Sequence, residues 1–422
     1  MKFIVSYNKQ FDIDGKIETF EGFSLKYLIH KFRYRDEFKI IDIEQFNSTK
    51  FSEEDIVIIA VFNRNKLQFQ HKMITEKIKE MFGDNLYRKN TFLVLGTHAE
   101  AQGNDVRGDE KLTNEEASDL VFNNLQKKNQ KVKLLVDGAN TYGVKKPKDN
   151  NTKLVSGNLF IEWAEELLLN YSGDEIYKKN LEKIDRLQDR DKLYTCLQRR
   201  PRQCRVLNLY NIHKYNLQDD GYFSMRLRNL EPIRHWRHSL LNDKDWKVGS
   251  ESFNKFSTDF SKFITMMSKH GSYKCDDVNL DENQAHNLNP THYLNSYFQV
   301  VAETLVSSDF VFFTEKIYKP IICGSPFFVL GNRGSIGLLK DMGFKTFSHW
   351  WDESYDDMYS HYERSKKVFS TIENFKTKSK QDLNIILQEQ KEILVFNHNK
   401  LSELIKNDSY IERIVDTLLE KK

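Results

Sequence analysis

Short runs that are apolar on both parities constrain this chain more than any other feature. Phe3–Tyr7, Lys39–Ile43, Ile56–Phe62, Phe92–Leu95 and Val132–Val136 are rich in β-branched residues. A strand reads this way when both faces of its sheet are covered. Between these runs, Ser24–Phe32, Gln68–Met81 and Thr113–Lys127 repeat apolar residues at i, i+3 and i+4, and the last opens on a Thr113/Glu116 capping-box pair. Strands that alternate with amphipathic helices predict a parallel α/β sheet. The sequence contains no internal repeat.

The chain has 422 residues, more than one core usually serves at roughly 100–200 residues per domain, so two domains are expected. Asp149–Lys153 reads as a polar break, and helical stretches follow at Leu159–Asn170 and Asp174–Gln188. The charged Asp185–Lys192 then gives way to a strand at Lys192–Leu197, which restarts the α/β pattern. The boundary is therefore placed at 190, giving an amino-terminal α/β domain over 1–189 and a carboxyl-terminal one over 190–422. In the second, Arg202–His213, Ile233–Leu241 and Ser250–Ser268 read as helices, and Tyr222–Met225, Tyr297–Ala302 and Phe327–Leu330 as strands. Cys275–Pro290, rich in Asp and Asn, reads as a loop. No Gly or Pro follows Gly343, and Leu383–Leu394 and Leu401–Leu419 carry apolar residues at helical spacing, which predicts a tail of long helices. The expected fold class is α/β, two Rossmann-like domains facing a central cleft with a helical C-terminal tail. Ligands of such sheets bind beyond the carboxyl ends of the strands.

Several function classes fall away on composition. Four cysteines, at Cys196, Cys204, Cys275 and Cys323, show neither CxxC pairs nor zinc-site spacing. Lys+Arg 64 against Asp+Glu 61 leaves a net charge of +3, which argues against wholesale adhesion to nucleic acid or an anionic membrane. The opening MKFIVSYNKQFDID meets charged and amide residues too early for a signal peptide. Apolar runs such as Ile56–Phe62 fall far short of the roughly 18 residues of a membrane span, so a soluble, cytoplasmic chain is expected. There is no GxSxG, Walker loop, HExxH or GxGxxG.

Two segments carry chemistry. In Thr195–Arg205, TCLQRRPRQCR, a strand ends near Leu197, Pro201 suits a helix start, and Arg199, Arg200, Arg202 and Arg205 crowd the turn. Free N–H groups and partial positive charge at a helix N-terminus attract phosphate, and guanidinium forks add bidentate bonds. The competing reading is a solvated basic turn. In Phe310–Gly331, FVFFTEKIYKPIICGSPFFVLG, Thr314 is an N-cap, Glu315 and Lys316 open a short helix, and Lys319 shares the face of Lys316. Pro320 and Gly324 are expected to limit that helix. A carboxylate accepts from a sugar or ribose hydroxyl while lysine neutralises an oxyanion; an exposed Glu/Lys turn is the bland alternative.

Taken together, LQRRPRQCR after a strand and YFQVVAET followed by FFTEKIYKPIICGSPFFVLG resemble the donor-binding domain of α-1,3-fucosyltransferase-like glycosyltransferases, especially their phage and giant-virus relatives. Glu303, then Thr314, Glu315 and Lys316, then Gly324, Ser325 and Pro326 follow the family's order. Thr304 stands where the family has Asn after the glutamate. The resemblance covers about a third of the chain, nearly all after residue 190, and implies a GT-B architecture. It also implies a transferase moving a hexosyl or pentosyl group from a nucleotide-sugar co-substrate to a hydroxyl acceptor, metal-independent and inverting. The acceptor would be a glycan or a hydroxymethylated DNA base, and a viral protein of this kind would act in the host cytoplasm. Carried over, Glu315 contacts the donor ribose or sugar, Lys316 and an arginine of Arg199–Arg205 hold the diphosphate, and Glu303 belongs to the same donor-binding set.

An inverting transfer needs a base near the acceptor hydroxyl. Loops after the amino-terminal strands offer His98 and Glu100 in GTHAEAQG and Asp137 in DGANTYG, although loop ends routinely carry such residues. Asp276, Asp277, Asp281 and Glu282 imitate a metal-binding acidic cluster but sit in a polar loop, so no metal is expected. His235–His238 is an aromatic-basic knot, and Trp350 and Trp351 read as core. The contrasting class is a non-catalytic GT-B-like module that holds a nucleotide or polyanion. The oligomeric state has no sequence signature.

Overall fold

The computed structural model describes residues 3–7, 38–42, 48–52, 55–63, 75–76, 79–80, 91–97, 133–138, 152–156, 161, 164–165, 167–168, 173–199, 201–226, 251–275, 288–303, 306, 311 and 313–407. The chain divides into two compact units, Met1–Leu159 with Asp408–Lys422, and Phe160–Asn407.

The first unit holds six strands: β1 (Phe3–Tyr7), β2 (Phe38–Asp42), β3 (Ile56–Asn63), β4 (Thr91–Thr97), β5 (Lys133–Gly138) and β6 (Thr152–Ser156). They form one sheet in the order β2-β1-β3-β4-β5-β6, parallel throughout. Two readings change here. The predicted polar break at Asp149–Lys153 runs into β6, whose ladder to β5 joins Leu134↔Thr152 through Gly138↔Ser156; backbone pairing overrides the polar side chains of Thr152, Lys153 and Ser156. Asp137, expected in a loop, lies within β5, opposite Gly96 and Val155.

The described part of the second unit opens on helical residues 161, 164–165 and 167–168 and then α1 (Gly173–Asp185), which packs with this unit. Next come β7 (Lys192–Leu197), α2 (Gln203–Lys214), β8 (Gly221–Ser224), α3 (Glu251–His270), α4 (Pro290–Leu294), β9 (Ser296–Ala302), α5 (Glu315–Cys323), β10 (Phe327–Leu330) and α6 (Ser335–Asp341). The tail is α7 (His361–Lys376), α8 (Lys380–Glu389) and α9 (Lys391–Lys406). The sheet order is β10-β9-β7-β8, again parallel. Every residue of β9 and β10 is buried, because helices cover both faces. One layer joins α2, α3 and α7, where Val206, Tyr210, Phe256, Phe260, Phe263 and Tyr362 interlock. The other packs α5 against α1, α9 and α4.

Local chemistry explains the remaining differences. Asn289, accepting from Thr291 N–H at 3.0 Å, caps α4 inside the segment read as a loop. Pro320 lies inside α5 instead of limiting it, and Gly324 ends the helix at φ 63°. That left-handed turn needs glycine doubly, since a Cβ there would also meet Tyr177 at 2.8 Å. The predicted Leu383–Leu394 helix is two helices hinged at Gln390, with a Ser379/Asp382 capping box starting the first. Trp351 is buried and stacks on Phe328 at 3.9 Å between ring centroids. No described helix is long and apolar enough to cross a membrane.

Candidate functional site

From β7 the chain crosses through α2 to β8 on one side, while β9 and β10 lie on the other. The direction of winding therefore reverses between β7 and β9, the place where open α/β sheets take ligands, beyond the carboxyl ends of the strands. β7 runs out into Gln198 and Arg199, and β9 into Glu303.

Glu303 is fully buried (0% exposed). Thr314 N–H donates to its Oε1 at 3.1 Å and the Thr314 hydroxyl to its Oε2 at 2.7 Å. Burial raises the pKa of this carboxyl, and the Lys316 charge and the Thr314 bonds pull the other way. The Thr314 hydroxyl in turn accepts from Lys316 N–H at 3.3 Å, capping α5, and from Lys316 Nζ at 2.8 Å. Lys316 Nζ also reaches Glu315 Oε1 at 2.9 Å. Glu303 thus stands behind the first turn of α5 and fixes it; a Cβ on Gly331, at the end of β10, would lie 3.5 Å from Glu303 Cβ.

Glu315 is itself buried. Desolvation alone would raise its pKa, but Lys316 and then Lys319 outweigh it, and the carboxyl is held below its ordinary value. Lys319 is only partly exposed, and burial of its ammonium brings its pKa down to about 8 against the pull of Glu315. Both lysines therefore act on one carboxylate, as their shared helix face requires.

Arg205 reaches the same cluster from α2. It is 5% exposed, and burial lowers its pKa; Cys204, Glu303 and Glu315 oppose that shift, while Arg202 adds to it. Arg202 is the N-cap of α2, extended at φ −92°, ψ 155°, and makes no side-chain cap. The arrangement can take an anion at a helix N-terminus whose N-cap side chain makes no cap and which guanidinium and ammonium groups flank.

Of the residues singled out in the sequence, Arg205, Glu303, Thr314, Glu315, Lys316 and Lys319 form one connected electrostatic set. Arg199 and Arg202 lie on the same strand-to-helix turn, where Arg199 O accepts from Arg226 N–H at 2.8 Å. Arg200, His98, Glu100, His235–His238 and the acidic residues Asp276–Glu282 lie outside the described residues. Among the described residues, no group of three or more His, Cys, Asp or Glu is placed to hold a metal ion.

Supporting residues went unread in the sequence. Asn208 Nδ2 donates to Gln198 Oε1 at 3.4 Å, Ser365 Oγ to Asn208 Oδ1 at 2.8 Å, and Asn211 Nδ2 to Ser365 Oγ at 2.9 Å. These bonds tie the end of β7 to α2 and α7. Asn208 and Asn211, three apart in an otherwise apolar helix segment, were the available signal. Arg364 of α7 donates to the carbonyls of Met358, Tyr359, Val306 and Gly331 at 2.6, 2.8, 2.6 and 3.2 Å, and so clamps the loops after β9 and β10.

No family model and no curated protein matches the chain, so kinship with the fucosyltransferase-like family stands as a resemblance. Among solved structures, a glycosyltransferase from Rickettsia africae ESF-5 aligns over 100% of this chain and 99% of its own, at 11% identity and a TM-score of 0.35. A likeness of that size settles neither fold nor activity.

Proposed function

We propose that the second unit binds the diphosphate of a nucleotide-sugar and that the chain is a glycosyltransferase of GT-B type. One observation carries this: at the reversal of winding between β7 and β9, Arg205 from α2 and Glu315, Lys316 and Lys319 from α5 share one electrostatic cluster. A departing nucleoside diphosphate is stabilised by preorganised cations and helix N–H groups, which act where charge develops. Arg205, Lys316 and Lys319, with Arg199, Arg200 and Arg202 along the turn, hold the phosphates. Glu315, kept ionised by its lysines, accepts from a ribose or sugar hydroxyl. Glu303 and Thr314 set the first turn of α5. The reaction is metal-independent and inverting, and its base comes from the amino-terminal unit, where Glu100, His98 and Asp137 are the candidates. The acceptor is a glycan or a modified DNA base.

Thermal melts with UDP, GDP and CDP test the binding step, since a ligand of the native state raises the melting temperature by mass action. One diphosphate is expected to raise it, and Lys316→Ala should weaken that binding at least about 30-fold, the equivalent of about 2 kcal/mol for a lost charge-assisted contact. An unchanged shift in Lys316→Ala removes it from the phosphate site. Release of nucleoside diphosphate from UDP-, GDP- or CDP-sugars then tests transfer. Binding without release on any acceptor identifies a nucleotide-binding module, and turnover abolished by chelator overturns the metal-free mechanism.

A further inference from the structure

The opposite edge of the same sheet holds a second reactive cluster. Tyr273 pairs antiparallel with Met225, exchanging N–H···O bonds of 2.8 and 3.0 Å, so Lys274 and Cys275 turn back beside edge strand β8. Cys275 Sγ then lies 3.5 Å from His292 Nε2. His292, in α4, is 3% exposed, and its root is fixed because its carbonyl accepts from Ser296 Oγ at 2.7 Å and from Thr195 Oγ1 at 3.2 Å. Its ring lies 5.1 Å from that of Tyr222. The Tyr222 phenol, which bonds Asp191, has its pKa raised first by burial and then by Asp191 and Cys275. Asp191, Tyr222 and His292 are thus the titratable groups that described elements bring to this thiol, beside its neighbour Lys274.

The remaining cysteines are built differently. Cys196, Cys204 and Cys323 are buried, and burial pushes all three thiols up, Cys196 to about 12. Cys275 alone combines partial exposure with an imidazole in hydrogen-bond reach. An imidazole in hydrogen-bond reach can take a thiol's proton and leave the reactive thiolate.

We infer that Cys275 and His292 form a modifiable thiol–imidazole site whose co-reactant is a hydroperoxide. His292 takes the thiol proton, the thiolate sulfur attacks one peroxide oxygen, an S–O bond forms as the O–O bond breaks, and the leaving oxygen takes the proton from the imidazolium. Sulfur loses two electrons and the peroxide gains them, giving a sulfenic acid and water, or an alcohol from an organic peroxide. With every other cysteine buried, the product is captured by a small external thiol as a mixed disulfide.

The test uses the intact chain, with iodoacetamide alkylation followed residue by residue by mass spectrometry from pH 5.5 to 9.5. Cys275 is expected to react first, with a pH midpoint at least about one unit below that of the urea-denatured chain, where a free thiol titrates near about 8.5. His292→Gln should return the midpoint to the denatured value. Hydrogen peroxide with a dimedone trap should label Cys275 and leave the three buried cysteines unlabelled. A native midpoint at or above the denatured one overturns the proposal, whether or not His292→Gln folds. A folded His292→Gln chain with an unchanged midpoint, or dimedone label absent from Cys275, does the same. None of these readouts depends on nucleotide binding, so they stand apart from the fate of the transferase reading.

Discussion

Arg205 and Arg364 are both buried arginines at the carboxyl edge of one sheet, yet their surroundings differ in kind. Arg364 is 1% exposed and donates to the backbone carbonyls of Met358, Tyr359, Val306 and Gly331, while its charge also acts on the Asp356 carboxyl. Arg205 sits among ionisable groups, Cys204, Arg202, Glu303 and Glu315. A charge answered by carbonyls is locked into the fold, because those acceptors have nowhere else to go. A charge answered by carboxylates that lysines also serve can be shared with an incoming anion. The partner, more than the burial, separates a clamp from a binding group.

The widest gap between the two regions should appear in stability. Arg364→Leu strands four carbonyls and is expected to cost at least about 3 kcal/mol in urea unfolding, since hydrogen bonds to charged groups contribute about 1.5–3 kcal/mol each and do not add fully. Arg205→Lys keeps the charge and should change stability by less than about 1 kcal/mol while weakening nucleoside diphosphate binding about tenfold through the lost fork. The comparison breaks if Arg364→Leu costs under 1 kcal/mol or if Arg205→Lys binds the diphosphate as the native chain does.

His361 lies where the two regions meet, and a pH experiment sharpens the contrast. Its Nε2 is 3.4 Å from the Cys204 carbonyl. Burial, and then the Arg364 charge, lower its pKa to about 3. An unfolded histidine titrates near about 6.5, so between those values the unfolded chain binds a proton that the folded chain refuses. Stability from this group is complete above pH 6.5 and is lost as pH falls towards 3, by about 1.4 kcal/mol per unit, or about 3 kcal/mol at pH 4.5. His361→Gln should flatten that limb in urea titrations at pH 7 and 4.5. An acid limb as steep in the variant as in the native chain would mean that neither burial nor the clamp's charge holds His361 neutral at the start of α7.

How much of this was legible depended on whether neighbours in sequence or neighbours in space set the signal. β7 and β10 are observed at the bounds the apolar runs predict, Lys192–Leu197 and Phe327–Leu330, because strands buried on both faces write their own limits. β6 was hidden because polar side chains on a sheet edge resemble a linker. Gln390 carries no mark of a helix break; it ends α8 and begins α9 only because packing turns the chain there. At the site, the Thr-Glu-Lys turn and the arginine-rich strand end were readable as local chemistry. That Glu303 faces Thr314 across eleven residues, and that Arg364 and Ser365 of α7 support the loops and α2, are facts of tertiary packing.

The smallest expected effect asks whether the Glu303–Thr314 pair positions the site or merely fills it. Thr314→Val preserves shape and removes one hydroxyl that serves as donor to Glu303 and as acceptor for Lys316. Loss of an N-cap and of one buried bond should cost about 1–2 kcal/mol, and Thr314→Ser should restore most of it. If the pair positions α5, the same substitution also loosens Lys316 and weakens diphosphate binding at every concentration of denaturant too low to unfold the chain. If the valine variant loses stability while its affinity stays native, Glu303 belongs with Arg364 as part of the frame, and the binding cluster shrinks to Arg205, Glu315 and the two lysines.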